Sequence, residues 1–385
     1  MNNIKRHSVL LAMSVALALP GCAPESSSDS AEGADEATVP GSDQQVRPAD
    51  PGGDYHGGHW PGHGSTTGSS SSSSTSAGSS STGTGAGGTE TSSSSSAGSS
   101  SSSGTGGAGG GAGGGVSCPV FPADNWWNTD ISGAAVDPKS ATYVATIGAA
   151  TSLHPDFGTQ YGIPSVKVGA SVAKSTVTFD YASESDVGPY PIPPNPPIEN
   201  GSDAHILMFH TGECKLYELY AASKTGTQWH AGSGAIWDLT KNSTRPKGWT
   251  SADAAGLPIY PGLVRYEEVT AGIIKHALRF TVPNTQHGYV APASHYASSS
   301  FDASRPPMGV RFRLKASFNI SGYSAPMKVI LTALKTYGMF LADNGGAWYV
   351  TGTPNPSWDD NAINTLKQVH GSDFEAITMG PITTN

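Results

Sequence analysis

Residues 118–385 predict a mainly β fold, an antiparallel β-sandwich of jelly-roll type with a few appended helices. Three observations carry this expectation. Short segments with alternating, β-branched or aromatic character recur along the chain. Gly, Pro, Asn and Asp separate them. Helical periodicity is confined to a few places, so most apolar faces must be buried sheet on sheet.

Strands are expected, in chain order, over 165–168, 175–179, 204–209, 215–220, 276–282 and 309–314. A short helix is expected from Ser140 to Ile147, and at most a turn from Ala254 to Leu257. The strongest helix runs from Ser324 to Tyr337, where Met327, Ile330, Leu331 and Leu334 fall at i, i+3, i+4 and i+7. Gly338 ends it, residues 339–342 read as a further strand, and Asp359 to Val369 read as a second amphipathic helix. The Pro-rich run 188–197 must be extended, because each Pro fixes φ and removes a donor. It is expected as a rigid loop across a surface.

Ahead of this domain, Lys5 and Arg6 precede an apolar run from Val9 to Leu19, the n- and h-regions of a signal peptide. As a helix that run spans about 16 Å, half of a bilayer core, too short for a lasting span. The residues Leu19-Pro20-Gly21-Cys22 resemble the lipobox of bacterial lipoproteins. The resemblance implies a signal peptide over 1–21, lipidation of Cys22 and attachment to a membrane through that lipid, with about 0.8 kcal/mol per buried CH₂. An ordinary cleaved signal peptide with a chance Cys is the alternative. Ala23, where retention signals carry Asp, resembles the pattern of lipoproteins sorted to the outer membrane, and display at the cell surface is the expected location.

Residues 22–116 are expected to be a disordered tether. Their Ser, Gly, Thr and Ala cannot bury enough apolar surface to offset the entropy of ordering. A flexible coil of about 90 residues reaches roughly 50 Å, enough to carry a domain into surface polysaccharide. His56, His59 and His63 within it read as a polar patch or a weak transition-metal site.

The net charge of −9 without a basic cluster argues against nucleic acid as a partner. No Walker A or dinucleotide fingerprint is present, so no nucleotide cofactor is implied. Beyond Cys22 the cysteines are Cys118 and Cys214. In an oxidising compartment a disulfide between them is expected, two unrelated thiols being the alternative.

The blocks 121–131, Leu153-His-Pro-Asp-Phe-Gly158, 248–258, Leu263-Val-Arg-Tyr-Glu-Glu-Val269, Lys275-His-Ala-Leu-Arg-Phe-Thr281 and 334–344 resemble a family of uncharacterised secreted bacterial proteins. The likeness covers nearly the whole domain. It implies one intact domain and supplies no activity.

Three chemistries compete. Glycoside hydrolysis needs two carboxyls across the scissile bond, about 5–5.5 Å apart for retention and 6.5–9.5 Å for inversion. One of them must hold a proton near neutral pH. Asp156, Asp203, Asp253 and Glu268 are the candidates, being loop acids beside aromatic residues. Trp126, Trp237 and Trp249, with His154 and His276, are candidates for contacting an extracellular glycan. The same features without a working acid pair describe a non-catalytic glycan-binding or adhesive module. A metal-dependent hydrolase would instead draw its ligands from His154, His205 and His276, although no tight ligand motif is present. Ser233, between two glycines, lacks the G-x-S-x-G elbow of a serine hydrolase.

Overall fold

The computed structural model describes residues 118–384. The signal peptide, the Cys22 lipidation, the tether and its histidine patch all lie outside the described residues. The strands are β1 (His154–Asp156), β2 (Ser165–Val168), β3 (Val177–Phe179), β4 (Ile206–His210), β5 (Lys215–Tyr220), β6 (Ser223–Thr225), β7 (Gln228–Ala231), β8 (Ser233–Asp238), β9 (Leu278–Val282), β10 (Arg311–Leu314), β11 (Met339–Asn344), β12 (Tyr349–Thr351) and β13 (Phe374–Ala376). The helices are α1 (Ser140–Ile147), α2 (Tyr266–Thr270), α3 (Ala325–Thr336) and α4 (Asp360–Asn364).

The domain is mainly β, and its sheets are mixed. A six-stranded sheet has the order β1-β12-β9-β11-β10-β13, a four-stranded sheet β2-β4-β5-β8, and a three-stranded sheet β3-β7-β6. The pairs β1–β12, β9–β11, β2–β4 and β3–β7 are parallel, so the expected antiparallel jelly-roll order is not the one formed. Side-chain alternation fixes which residues share a face of a strand, and leaves the direction of its neighbour open. β9 and β11 are linked through β10 and α3, a connection long enough to bring β11 back parallel to β9.

Two cores explain the strands that read as continuous apolar runs. In β4, Leu207 and Phe209 enter the main core, while Ile206 and Met208 enter a second one shared with Val177, Tyr217 and Trp229. Covered on both faces, this strand has no solvent side on which to place polar residues. The main core backs the six-stranded sheet, with Trp348 stacked near Phe280 and Phe374 at 5.7 and 5.3 Å. Helix α3 lays Met327, Ile330, Leu331 and Leu334 into it, as their spacing predicts. Gly338 follows at φ 65°, where a Cβ would meet the Phe312 carbonyl at 2.1 Å, and its N–H donates to Ala333 O at 3.0 Å. Only glycine fits that stop.

Two local expectations need correcting. The Pro-rich run is not a purely surface loop, because Tyr190 and Ile192 are buried in the second core. The last amphipathic segment splits into α4 and a 3₁₀ turn at Thr365–Gln368, with Asp359 capping α4 by accepting from the N–H groups of Asn361 and Ala362. Cys118 and Cys214 form a disulfide with a sequence separation of 96, tying the start of the described chain to the β4–β5 turn.

Candidate active site

One face of the six-stranded sheet packs the main core. The other carries a polar inlay. Arg279 and Thr281 alternate onto this face of β9. The register sets His154, Tyr349 and Thr281 side by side across β1, β12 and β9, and sets Asp156 beside Thr351. The His154 and Tyr349 rings stack at 3.9 Å, and Arg279 Nη1 donates to Thr351 Oγ1 at 2.7 Å.

A β-bulge adds the decisive residue. In β11, Leu341 pairs with Phe280, but Asp343 pairs with Thr281, leaving Ala342 as the extra residue. Strict alternation would have put Asp343 on the core face with Met339 and Leu341. The bulge turns it onto the polar face beside Thr281. The Ala342 carbonyl accepts from Ala255 N at 2.9 Å, which docks the loop carrying Asp253 against the same strand.

Asp253 and Arg279 form the sealed floor, 1% and 4% exposed. Their contact is bidentate, with Arg279 Nε to Oδ2 at 2.9 Å and Nη2 to Oδ1 at 2.7 Å. Asp343, Asp203 and Glu199 are half-buried around that floor. Burial, then the negative charges of Asp253 and Asp203, push the Asp343 carboxyl well above the usual carboxylate range, and Arg279 pulls the other way without prevailing. Asp343 is therefore the carboxyl of this group most disposed to hold a proton, with Asp253 as its hydrogen-bond partner.

Beside this group lies a second charged pair. His205 is buried, with Nδ1 hydrogen-bonded to Glu199 and Nε2 donating to Ala252 O at 3.0 Å. Burial opposes its charge, yet Glu199, helped by Asp203, pushes the imidazole up to about 9. Burial likewise opposes the Glu199 charge, but His205 and Arg279 hold that carboxyl below its usual value.

The loop bearing Asp253 is clamped from several sides. Glu218, fully buried on β5, accepts from Ile259 N at 3.0 Å, Tyr260 N at 2.9 Å and Trp237 Nε1 at 3.1 Å. Burial pushes it up to about 7 against the pull of those donors. Thr250 N donates to Glu184 at 3.1 Å, and His295 Nδ1 donates to Ala254 O at 2.7 Å. Arg245 is tied to Asp186 at 2.6 Å beneath the Trp249 ring.

Of the four acids singled out from the sequence, Asp203 and Asp253 are the two whose charges act on Asp343. Asp156 lies on the same sheet face, in the row of Thr351 and Arg279. Glu268 is committed elsewhere, to Arg265 Nη2 at 2.7 Å and His276 Nε2 at 3.0 Å. His276 is buried in that group, with Nδ1 donating to the Ala277 carbonyl at 2.8 Å, so it is not a surface on which a glycan can rest. Trp237 is also sealed, its indole N–H spent on Glu218. Trp126 is exposed, and the small cavity it shares with Trp237, Gly256 and Leu257, about 10 Å³, is too small for a sugar ring. Trp249 is half-buried against Arg245.

His154, His205 and His276 do not form a metal centre. Among the described residues no group of three His, Cys, Asp or Glu is arranged to hold a metal ion. Each histidine is occupied by its own neighbours: Tyr349, Glu199 and the Glu268–Arg265 pair. Burial, helped by the charge of Lys367, lowers His154 to about 4, so it is neutral at neutral pH. Ser233 is buried and donates to Ser251 O at 2.6 Å, which leaves it structural. A groove of about 330 Å³ near Tyr143, Val290 and Ile382 gathers none of these acids.

No family model matches the chain, and no curated protein or solved structure matches it either.

Proposed function

We propose that the chain is an exported, lipid-anchored glycoside hydrolase of the outer membrane, acting on extracellular polysaccharide. The observation that carries this reading is the bulge that sets Asp343 beside the buried Asp253–Arg279 pair, where burial and the neighbouring carboxylates favour its protonated form. A general acid of that kind donates its proton to the leaving oxygen of a glycosidic bond. Asp203, half-buried at the same site, is the partner carboxylate. Asp253 has both oxygens committed to Arg279, so its role is to fix Asp343 and balance the local charge.

The test is release of reducing ends from a polysaccharide panel by the full-length protein, with and without EDTA. Asp343→Asn and Asp203→Asn are each expected to lower turnover by about 10²–10⁴-fold, and EDTA is expected to leave it unchanged. If the wild-type protein cleaves nothing and is retained on a glycan, it is a binding module. If cleavage survives Asp343→Asn, the acid has been assigned to the wrong residue.

A further inference from the structure

We propose that His295, Tyr296, His287 and Phe301 form an aromatic platform that extends the acid site and holds further sugar units of an extended glycan chain. This rests on the glycan reading above. Phe301 is 77% exposed, an unusual place for a large apolar ring. A lone exposed apolar residue needs no explanation, but this one belongs to a continuous row. Its centroid lies 4.5 Å from His287, His287 lies 4.0 Å from Tyr296, and Tyr296 lies 5.7 Å from His295 with nearly parallel planes.

The row is held in place from beneath. His287 Nδ1 meets Ser298 O at 3.1 Å, and His287 N donates to Ser300 O at 2.5 Å, so the 298–301 segment is wrapped onto that ring. Tyr289 stacks under Tyr296 at 6.4 Å. Pre-set rings of this kind bind with little loss of side-chain entropy.

Continuity with the acid site identifies the occupant. Ser294 N and His295 N both donate to Ala255 O, at 3.0 and 3.3 Å, and His295 Nδ1 donates to Ala254 O. The platform thus springs from the loop that delivers Asp253 to Asp343. A ligand engaged by both must be long, must offer hydroxyls to the polar floor, and must offer apolar C–H faces to the rings. A polymer of pyranose sugars that expose an axial C–H face meets those requirements.

The experiment uses the full chain, with xylan, cellulose, chitin and β-1,3-glucan and their short oligomers as probes. Phe301→Ala and Tyr296→Ala are expected to raise KM for the long substrate by about tenfold while leaving kcat and the short-oligomer KM nearly unchanged. Phe301→Trp is expected to restore the wild-type KM, and thermal melting checks that every variant is folded. If wild-type protein cleaves a glycan and both alanine variants match it on long chains, the platform is wrong and the acid site stands. If wild-type protein cleaves none but is retained on one through Phe301, the platform stands and hydrolysis falls.

Discussion

A carboxyl group flanked by two carboxylates and one guanidinium cannot ionise without adding a second uncompensated negative charge. Asp343 is in that position, and burial together with those carboxylates favours its neutral form, with Asp253 as hydrogen-bond partner. Nearby, Glu199 and His205 solve the opposite problem by both staying charged. The His205 imidazole is raised from 6.5 to about 9 on folding. A raised base adds stability that is fully present below pH 6.5 and is lost as pH rises through 9. This contribution is on the order of 3 kcal/mol. Thermal melts of wild type and His205→Gln across pH 6–10 test it. The wild-type Tm is expected to fall between pH 7 and 9, and the variant's to fall less steeply from a lower start. Parallel curves would show that the pair does not carry the alkaline transition.

At the scale of elements, the site depends on a strand, a bulge and a clamped loop acting together. Glu218 is the main clamp, since it satisfies the backbone N–H groups of Ile259 and Tyr260 and the Trp237 indole in a place without solvent. Glu218→Ala would orphan those donors and is expected to cost about 3–5 kcal/mol in urea unfolding at pH 7. A loss under about 1 kcal/mol would mean that the loop is fixed by other contacts. The sequence held a signal for this residue. Glu218 shares an alternation with Leu216 in a strand correctly expected over 215–220, so an acid was bound to face inward. Arg279 carried a different one, since alternation between Leu278 and Phe280 puts it with Thr281 on the opposite face. Asp343 carried none, because alternation from Met339 and Leu341 points it at the core and only the bulge reverses it.

For the whole molecule, composition and periodicity made the β-rich domain, helix α3 and the Cys118–Cys214 disulfide legible. Strand direction was not, since the same alternating segment pairs either way and the choice is made by connections and by the second core. β1 and β12 escaped notice because three-residue strands such as His154–Asp156 are too short for a period to show. Those two strands nonetheless bring His154, Asp156, Tyr349 and Thr351 to the polar face. Asp203 and Asp253, separated by 50 positions in the chain, were recognisable as loop acids. Their convergence on Asp343 is a property of the folded sheet and loops alone.

At neutral pH Asp343 is expected to retain its proton. Infrared difference spectroscopy of the wild-type protein against Asp343→Asn at pH 7 measures it directly. A carboxylic-acid C=O stretch is expected in the wild type and is expected to disappear in the variant. A difference spectrum showing only carboxylate bands at that pH would contradict it.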